Sequence, residues 1–238
     1  MLEEKKSSNE NKKQNKGFTM GLVSGIAVIA VIGMIVFGTL YFTNQSDDDG
    51  TVVGEDTQQE QPDNQAPEVN LSISDNDYVL GNRDAKIKIF EFSDFQCPYC
   101  ARFHEVMHQI VDEYPNDVAW VFKQFPIQSH PLGMPGAMAT ECAGDQGKFW
   151  EMSDMIFSNQ ETLTAESFAI FAGDLGLDVN TFNQCMSDNP HGEKIANDYQ
   201  TGITSGVRGT PSSFVNGNII PGALPYESMK QMVDELLK

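Results

Sequence analysis

The sequence predicts an α/β domain in which a block of helices interrupts a small sheet, set behind one membrane-spanning helix and a disordered linker. Three observations carry that prediction. An uncharged apolar run lies near the N-terminus, a period-two strand pattern leads into Cys97-Pro98-Tyr99-Cys100 at the mouth of a helix, and strand signals return only after Ser205. At 238 residues the chain suffices for one ordinary domain with appendages.

Residues 1–16 are polar and carry Lys5, Lys6, Lys12, Lys13 and Lys16. From Gly17 to Ser46 there is no charged residue, and Phe18 to Phe42 is a stretch of 25 mostly apolar residues, long enough to span a bilayer. A signal peptide would have a shorter apolar region and a small-residue cleavage site, so residues 17–43 read as an uncleaved anchor through which the chain meets the membrane. Lysines before it and Asp47, Asp48 and Asp49 after it place the N-terminus in the cytoplasm. The remainder is then expected outside, in a single-pass cell-membrane protein, where disulfides persist.

Residues 44–74 are expected to be a disordered acidic linker, because Asp, Gln, Glu, Asn, Gly and Pro dominate it and cannot bury enough surface to offset ordering. Its role would be reach. Residues 1–16 hold five Lys and three Glu, so of 15 Lys plus Arg and 34 Asp plus Glu in the chain, ten and 31 lie beyond them, a net of −21. Such an acidic surface argues against nucleic acid and anionic lipid as partners.

The folded domain is expected over residues 75–238. Ile87, Ile89 and Glu91 alternate with Lys88, Phe90 and Phe92, a strand pattern. Cys97 then opens a helix whose apolar positions Phe103, Met107, Ile110, Val111 and Tyr114 share one face, stopped by Pro115. Val118 to Phe122 reads as a second strand, and residues 131–205 as helical segments broken at Gly144, Gly173, Gly176 and Pro190. Ser213 to Val215, Asn216-Gly217 and Asn218 to Ile220 make a tight hairpin, and Tyr226 to Leu237 a last helix.

Two cysteines two residues apart at a helix mouth suit electron exchange. Unsatisfied backbone N–H groups and the helix dipole favour a thiolate on the first, and the thiolate is the nucleophile of disulfide exchange. Pro98 fits the first helical position, since it lacks a donor and presets the dihedral. A C-x-x-C pair is also half of many zinc sites, and His104 and His108 follow at helical spacing. One continuous helix would have to present all four ligands, which argues against a structural zinc finger, and the two histidines read as partly exposed helix residues.

The order strand, active-site helix, strand, helical block, hairpin, helix resembles the thioredoxin superfamily, and within it the DsbA-like thiol-disulfide oxidoreductases, here in a membrane-anchored form. Residues 90–100, Gln146-Gly147-Lys148-Phe149-Trp150, and residues 206–217 with their Gly209-Thr210-Pro211 carry the resemblance. It implies a thioredoxin fold with an inserted helical subdomain, catalysis by Cys97 and Cys100 with Pro98 and Tyr99 between them, and no cofactor or metal. It also implies a cis peptide bond before Pro211, with Thr210 facing the cysteines, either tuning the thiolate or merely filling the turn. Glu91 corresponds to a buried acid beneath the cysteines that relays a proton, the alternative being a solvated carboxylate at a strand end, and Lys123 to that acid's neighbour. A second disulfide, Cys142 to Cys185, is a feature of some members, and a second redox-active pair is the competing reading.

The expectation is therefore an extracytoplasmic thiol-disulfide oxidoreductase acting on unfolded or newly exported proteins, forming their disulfides, and reset by an unidentified redox partner. Reduction or isomerisation on the same fold is an alternative, as is a metal chaperone using Cys97, Cys100 and His104.

Overall fold

The computed structural model describes residues 69–238. The tail, the anchor and most of the linker expected at residues 1–68 lie outside the described residues. Among those described, no helix is long and apolar enough to cross a membrane.

The elements follow as β1 (Tyr78–Gly81), β2 (Ile87–Ser93), α1 (Pro98–Glu113) and β3 (Val118–Gln124), then the helices α2 (Gly133–Gly144), α3 (Phe149–Ser158), α4 (Ser167–Asp174), α5 (Val179–Asp188) and α6 (Gly192–Thr204). The hairpin β4 (Ser212–Val215) and β5 (Asn218–Pro221) and the helix α7 (Tyr226–Leu236) close the domain. The five strands form one sheet in the order β1-β3-β2-β4-β5. β2 and β3 are parallel, joined by α1 as the crossover that a parallel pair requires, and β4 returns antiparallel to β2.

Strand parity sorts the core. Ile87 and Ile89 join Phe103, Met107 and Ile110 of α1 and Met229 and Val233 of α7 on one face. Phe90 and Phe92 join Val121, Phe125, Val207 and Phe214 on the other, with Ile203 of α6 packed against them. A Cβ on Gly202 would stand 2.7 Å from the Phe125 ring, so α6 approaches the sheet this closely only because that residue has none. In the hairpin Asn216 and Gly217 have φ of 46° and 87°, the two left-handed positions that a two-residue type I′ turn demands.

Two features depart from the sequence expectation. The edge strand β1, a four-residue Tyr-Val-Leu-Gly segment without alternation, pairs antiparallel with β3 and was not foreseen. Residues 69–73, placed in the linker from sequence, pack onto the domain. Val69, Leu71 and Ile73 pack against the second cluster, and the Val69 N–H donates to the Gly217 carbonyl at 3.2 Å, because apolar residues at every second position give the segment one face to bury.

In the helical block Cys142 of α2 and Cys185 of α5 are joined by a disulfide across 43 residues of sequence. Closing a loop of that length stabilises by about 4 kcal/mol in the chain-entropy model. The double variant Cys142→Ser/Cys185→Ser is expected to melt roughly 10 °C lower while keeping its thiol-exchange rate, read by calorimetry and a peptide exchange assay. Lost activity at an unchanged melting point would make this pair a second redox centre.

Candidate active site

The turn after β2 delivers the cysteines to the start of α1. Cys97 is the N-cap residue, with extended backbone (φ −78°, ψ 120°), and Pro98 is the first helical residue. The Cys97 carbonyl already accepts from the N–H groups of Cys100 and Ala101. Both thiols are free; Cys97 is 4% exposed and Cys100 is fully buried. Tyr99 between them is 55% exposed and forms part of the rim.

The two sulfurs have opposite proton affinities. The neighbouring Cys100 thiol, outweighing the cost of burial, and the backbone N–H groups of Cys100 and Tyr99 lower the Cys97 thiol to about 5. Burial, and then the neighbouring Cys97, push the Cys100 thiol well up. Across the sulfurs lies the segment before β4. The Thr210–Pro211 peptide bond is cis, and the Thr210 carbonyl accepts from the Cys97 thiol at 3.4 Å.

Glu91 sits beneath, on the β2 face that carries Ile87 and Ile89, and is fully buried rather than solvated. Burial raises its carboxyl to about 7, with the hydrogen bond from Trp120 opposing. The Trp120 indole N–H donates to Oε2 at 2.9 Å, while Oε1 has no protein partner. Lys123 is not its neighbour. In the β2–β3 register Glu91 faces Phe122 and Lys123 faces Phe92, so Lys123 projects from the opposite face of the sheet. There its Nζ pairs with Asp77 at 2.5 Å and Asp198 at 3.2 Å.

Three supporting residues escaped the sequence reading. Buried Asp94 accepts from the N–H groups of Gln96 and Ile127 at 2.7 and 2.6 Å and contacts His130 at 2.9 Å, stapling the cysteine turn to the loop after β3. Gln160 donates to the carbonyls of Phe95 and Cys97 at 2.8 and 3.1 Å. His130 completes the staple. A Cβ at Gly133 would lie 2.5 Å from the Asp94 carboxylate, so that glycine is required by close approach. Asp94 lies in the segment that carried the resemblance, but nothing in its spacing pairs it with residues 33 or more positions away.

Of the two histidines of α1, His108 is partly exposed as expected and His104 is not. His104 is only 3% exposed, since the helix turns it inward with Phe103 and Met107. Its Nε2 meets Asp154 of α3 at 2.6 Å, and the trio Cys97, Cys100 and His104 is not among the described groups whose possible ligand atoms lie within 4.8 Å of one another.

A profile of the thioredoxin family matches residues 74–235. The chain belongs to the thioredoxin family. A thioredoxin-like oxidoreductase from Silicibacter pomeroyi DSS-3 superposes with a TM-score of 0.61 at 26% identity, the match covering 68% of this chain and 92% of that one. The catalytic domain of Proteus mirabilis ScsC gives 0.60 at 25% identity over 68% of this chain and 89% of that one. The thiol-disulfide exchange protein alpha-DsbA2 from Wolbachia pipientis, at 22% identity and a TM-score of 0.60 over 66% of this chain and 86% of that one, shares the fold. Among curated relatives, the Na(+)/H(+) antiporter NhaA 1 of Salinispora arenicola is 34% identical over 160 residues, 67% of this chain. The chain spans only 24% of that relative's length.

Proposed function

We propose that this chain is a thiol-disulfide oxidoreductase held at a membrane by residues 17–43, acting outside the cytoplasm on unfolded or newly exported proteins and forming their disulfides. The observation that carries the reading is the asymmetry of the two thiols over a buried acid: Cys97 favours its thiolate at a helix mouth, Cys100 holds its proton, and Glu91 holds a proton near neutrality. The resemblance to part of a membrane antiporter suits a domain that works beside a membrane.

A substrate thiolate would attack Cys97 of the Cys97–Cys100 disulfide, forming a mixed disulfide and expelling the Cys100 sulfur as a thiolate. A thiolate of high proton affinity leaves slowly, and a proton from Glu91 would ease its departure. A second substrate thiolate then attacks the substrate's own sulfur in the mixed disulfide and expels the Cys97 thiolate, the better leaving group. The substrate is oxidised by two electrons, which stay on the enzyme's pair until a separate redox partner removes them. The exposed Tyr99 and the backbone of Thr210 before β4 are where an extended substrate segment would lie.

The oxidising direction follows from the Cys97 thiolate, because a stabilised reduced form makes the disulfide a strong oxidant. Equilibration in glutathione buffers is expected to give a potential nearer about −120 mV than about −270 mV, and the latter value would mark a reductase. The same stabilisation depends on pH. The folded proton affinity of Cys97 is depressed from 9.0 to about 5, so the reduced fold gains stability as pH rises from about 5 toward 9 and loses it as pH falls through 5. The reduced protein is expected to melt above the oxidised one at pH 7.5, with the gap closing by pH 5 in calorimetry. A gap independent of pH would remove the thiolate argument.

A further inference from the structure

We propose that His104, His108 and Asp154 form a binding site for a divalent transition-metal cation such as Zn2+, separate from the thiol pair. His104 and His108 stand one turn apart on α1, at i and i+4 on one face, and Asp154 reaches them from the middle of α3. His104 Nε2 and His108 Nε2 lie 2.6 and 2.9 Å from the same Asp154 Oδ1, and 3.1 Å from each other. Three ligand atoms bonded tetrahedrally to one ion at the usual zinc distances of about 2.0–2.2 Å are themselves about 3.3–3.6 Å apart. The triangle is tighter than that by about 0.5 Å a side, an expansion that small side-chain rotations supply.

Hydrogen bonding alone does not account for it. Around an ionised carboxylate, the two contacts to Oδ1 each need a proton on an Nε2, and the contact between the two Nε2 atoms then has two donors and no acceptor. If one Nε2 gives up its proton to accept from the other, its own contact with Oδ1 becomes lone pair against lone pair. A cation bonded to all three atoms satisfies every contact, each neutral imidazole then carrying its one ring proton on Nδ1. Two imidazoles and a carboxylate are a donor set suited to Zn, Ni, Cu or Fe rather than to Ca or Mg.

The site is also accessible. It borders a cavity of about 300 Å³ whose walls include Glu105, Phe157 and Ser158, which leaves room for further ligands. Asp154 is 48% and His108 30% exposed in their side chains, so an ion reaches them without unfolding. The rings are positioned by packing: His104 and His108 meet the Trp120 ring edge to face at 5.1 and 5.3 Å. His104 Nδ1 has no acceptor, and such missing outer support costs about 10–100-fold in affinity, so micromolar rather than nanomolar binding is expected.

The test uses the chain carrying Cys97→Ser and Cys100→Ser, so that no thiolate at the redox pair competes and the outcome is independent of the exchange chemistry. Titration calorimetry with Zn2+ is expected to show one equivalent bound. His108→Ala and Asp154→Asn, both at partly exposed positions that tolerate change, should each weaken binding at least tenfold. His191→Ala, which removes another histidine paired with a carboxylate, Asp145 at 2.8 Å, should leave it unchanged. Co2+ should quench tryptophan fluorescence in the parent and not in His108→Ala, since both tryptophans of the chain, Trp120 and Trp150, lie within 6.5 Å of the His104 ring. No zinc binding without the cysteines, or binding that survives both Asp154→Asn and His108→Ala, overturns the site.

Discussion

Cells expressing Cys100→Ala should accumulate mixed disulfides between this chain and exported proteins, whereas Cys97→Ala should accumulate none. The difference is expected to be all or none, because the two sulfurs differ in both charge and access. Cys97 is the N-cap residue, held toward its thiolate by the Cys100 thiol and by backbone N–H groups, and its sulfur lies 3.4 Å from the Thr210 carbonyl. Cys100 lies a turn further in with no exposed surface and a proton affinity pushed well up. Without Cys100, the Cys97 thiolate bonds a substrate by attacking one of its existing disulfides and expelling the partner sulfur as a thiolate, and with no Cys100 to attack Cys97 in turn the adduct is left to slow outside thiols. Acid quenching followed by non-reducing gels reads the outcome. Equal ladders from both variants, or none from Cys100→Ala, would refute the assignment of Cys97 as the exchanging sulfur.

Local signals made the helix mouth and the hairpin legible. Pro98 after Cys97 specifies a helix start, and Asn216-Gly217 specifies a two-residue turn. What escaped the sequence depends on register and on distant pairing. Glu91 was readable as sharing a face with Ile87 and Ile89, but Lys123 could be assigned a side only once β3 was aligned with β2, and a shift of one residue reverses the answer. Asp154 lies 50 residues from His104, and Gln160 lies 63 from Cys97; helical spacing brought the histidines together without indicating what they meet. The edge strand β1 was hidden because four residues with one open flank need little alternation.

Glu91→Gln should stabilise the domain at neutral and alkaline pH and slow exchange. The sign follows from burial. The folded carboxyl holds its proton up to about pH 7, against 4.5 for an exposed one, so between those values the native state binds the proton that the unfolded state has released. Stability therefore falls as pH rises through that window, by about 3 kcal/mol, and the penalty is complete above pH 7. A glutamine there is neutral at every pH and can still accept from the Trp120 indole, so it escapes the penalty while keeping the hydrogen bond. Parent and variant should melt together near pH 4.5 and separate by roughly 10 °C at pH 8. Exchange should meanwhile drop at least tenfold in stopped flow with a model peptide, since the amide has no proton to give the departing Cys100 sulfur. Parallel melting curves across this range would mean a carboxylate in contact with water. Separated curves with an unchanged exchange rate would leave Glu91 a buried acid that the chemistry does not use.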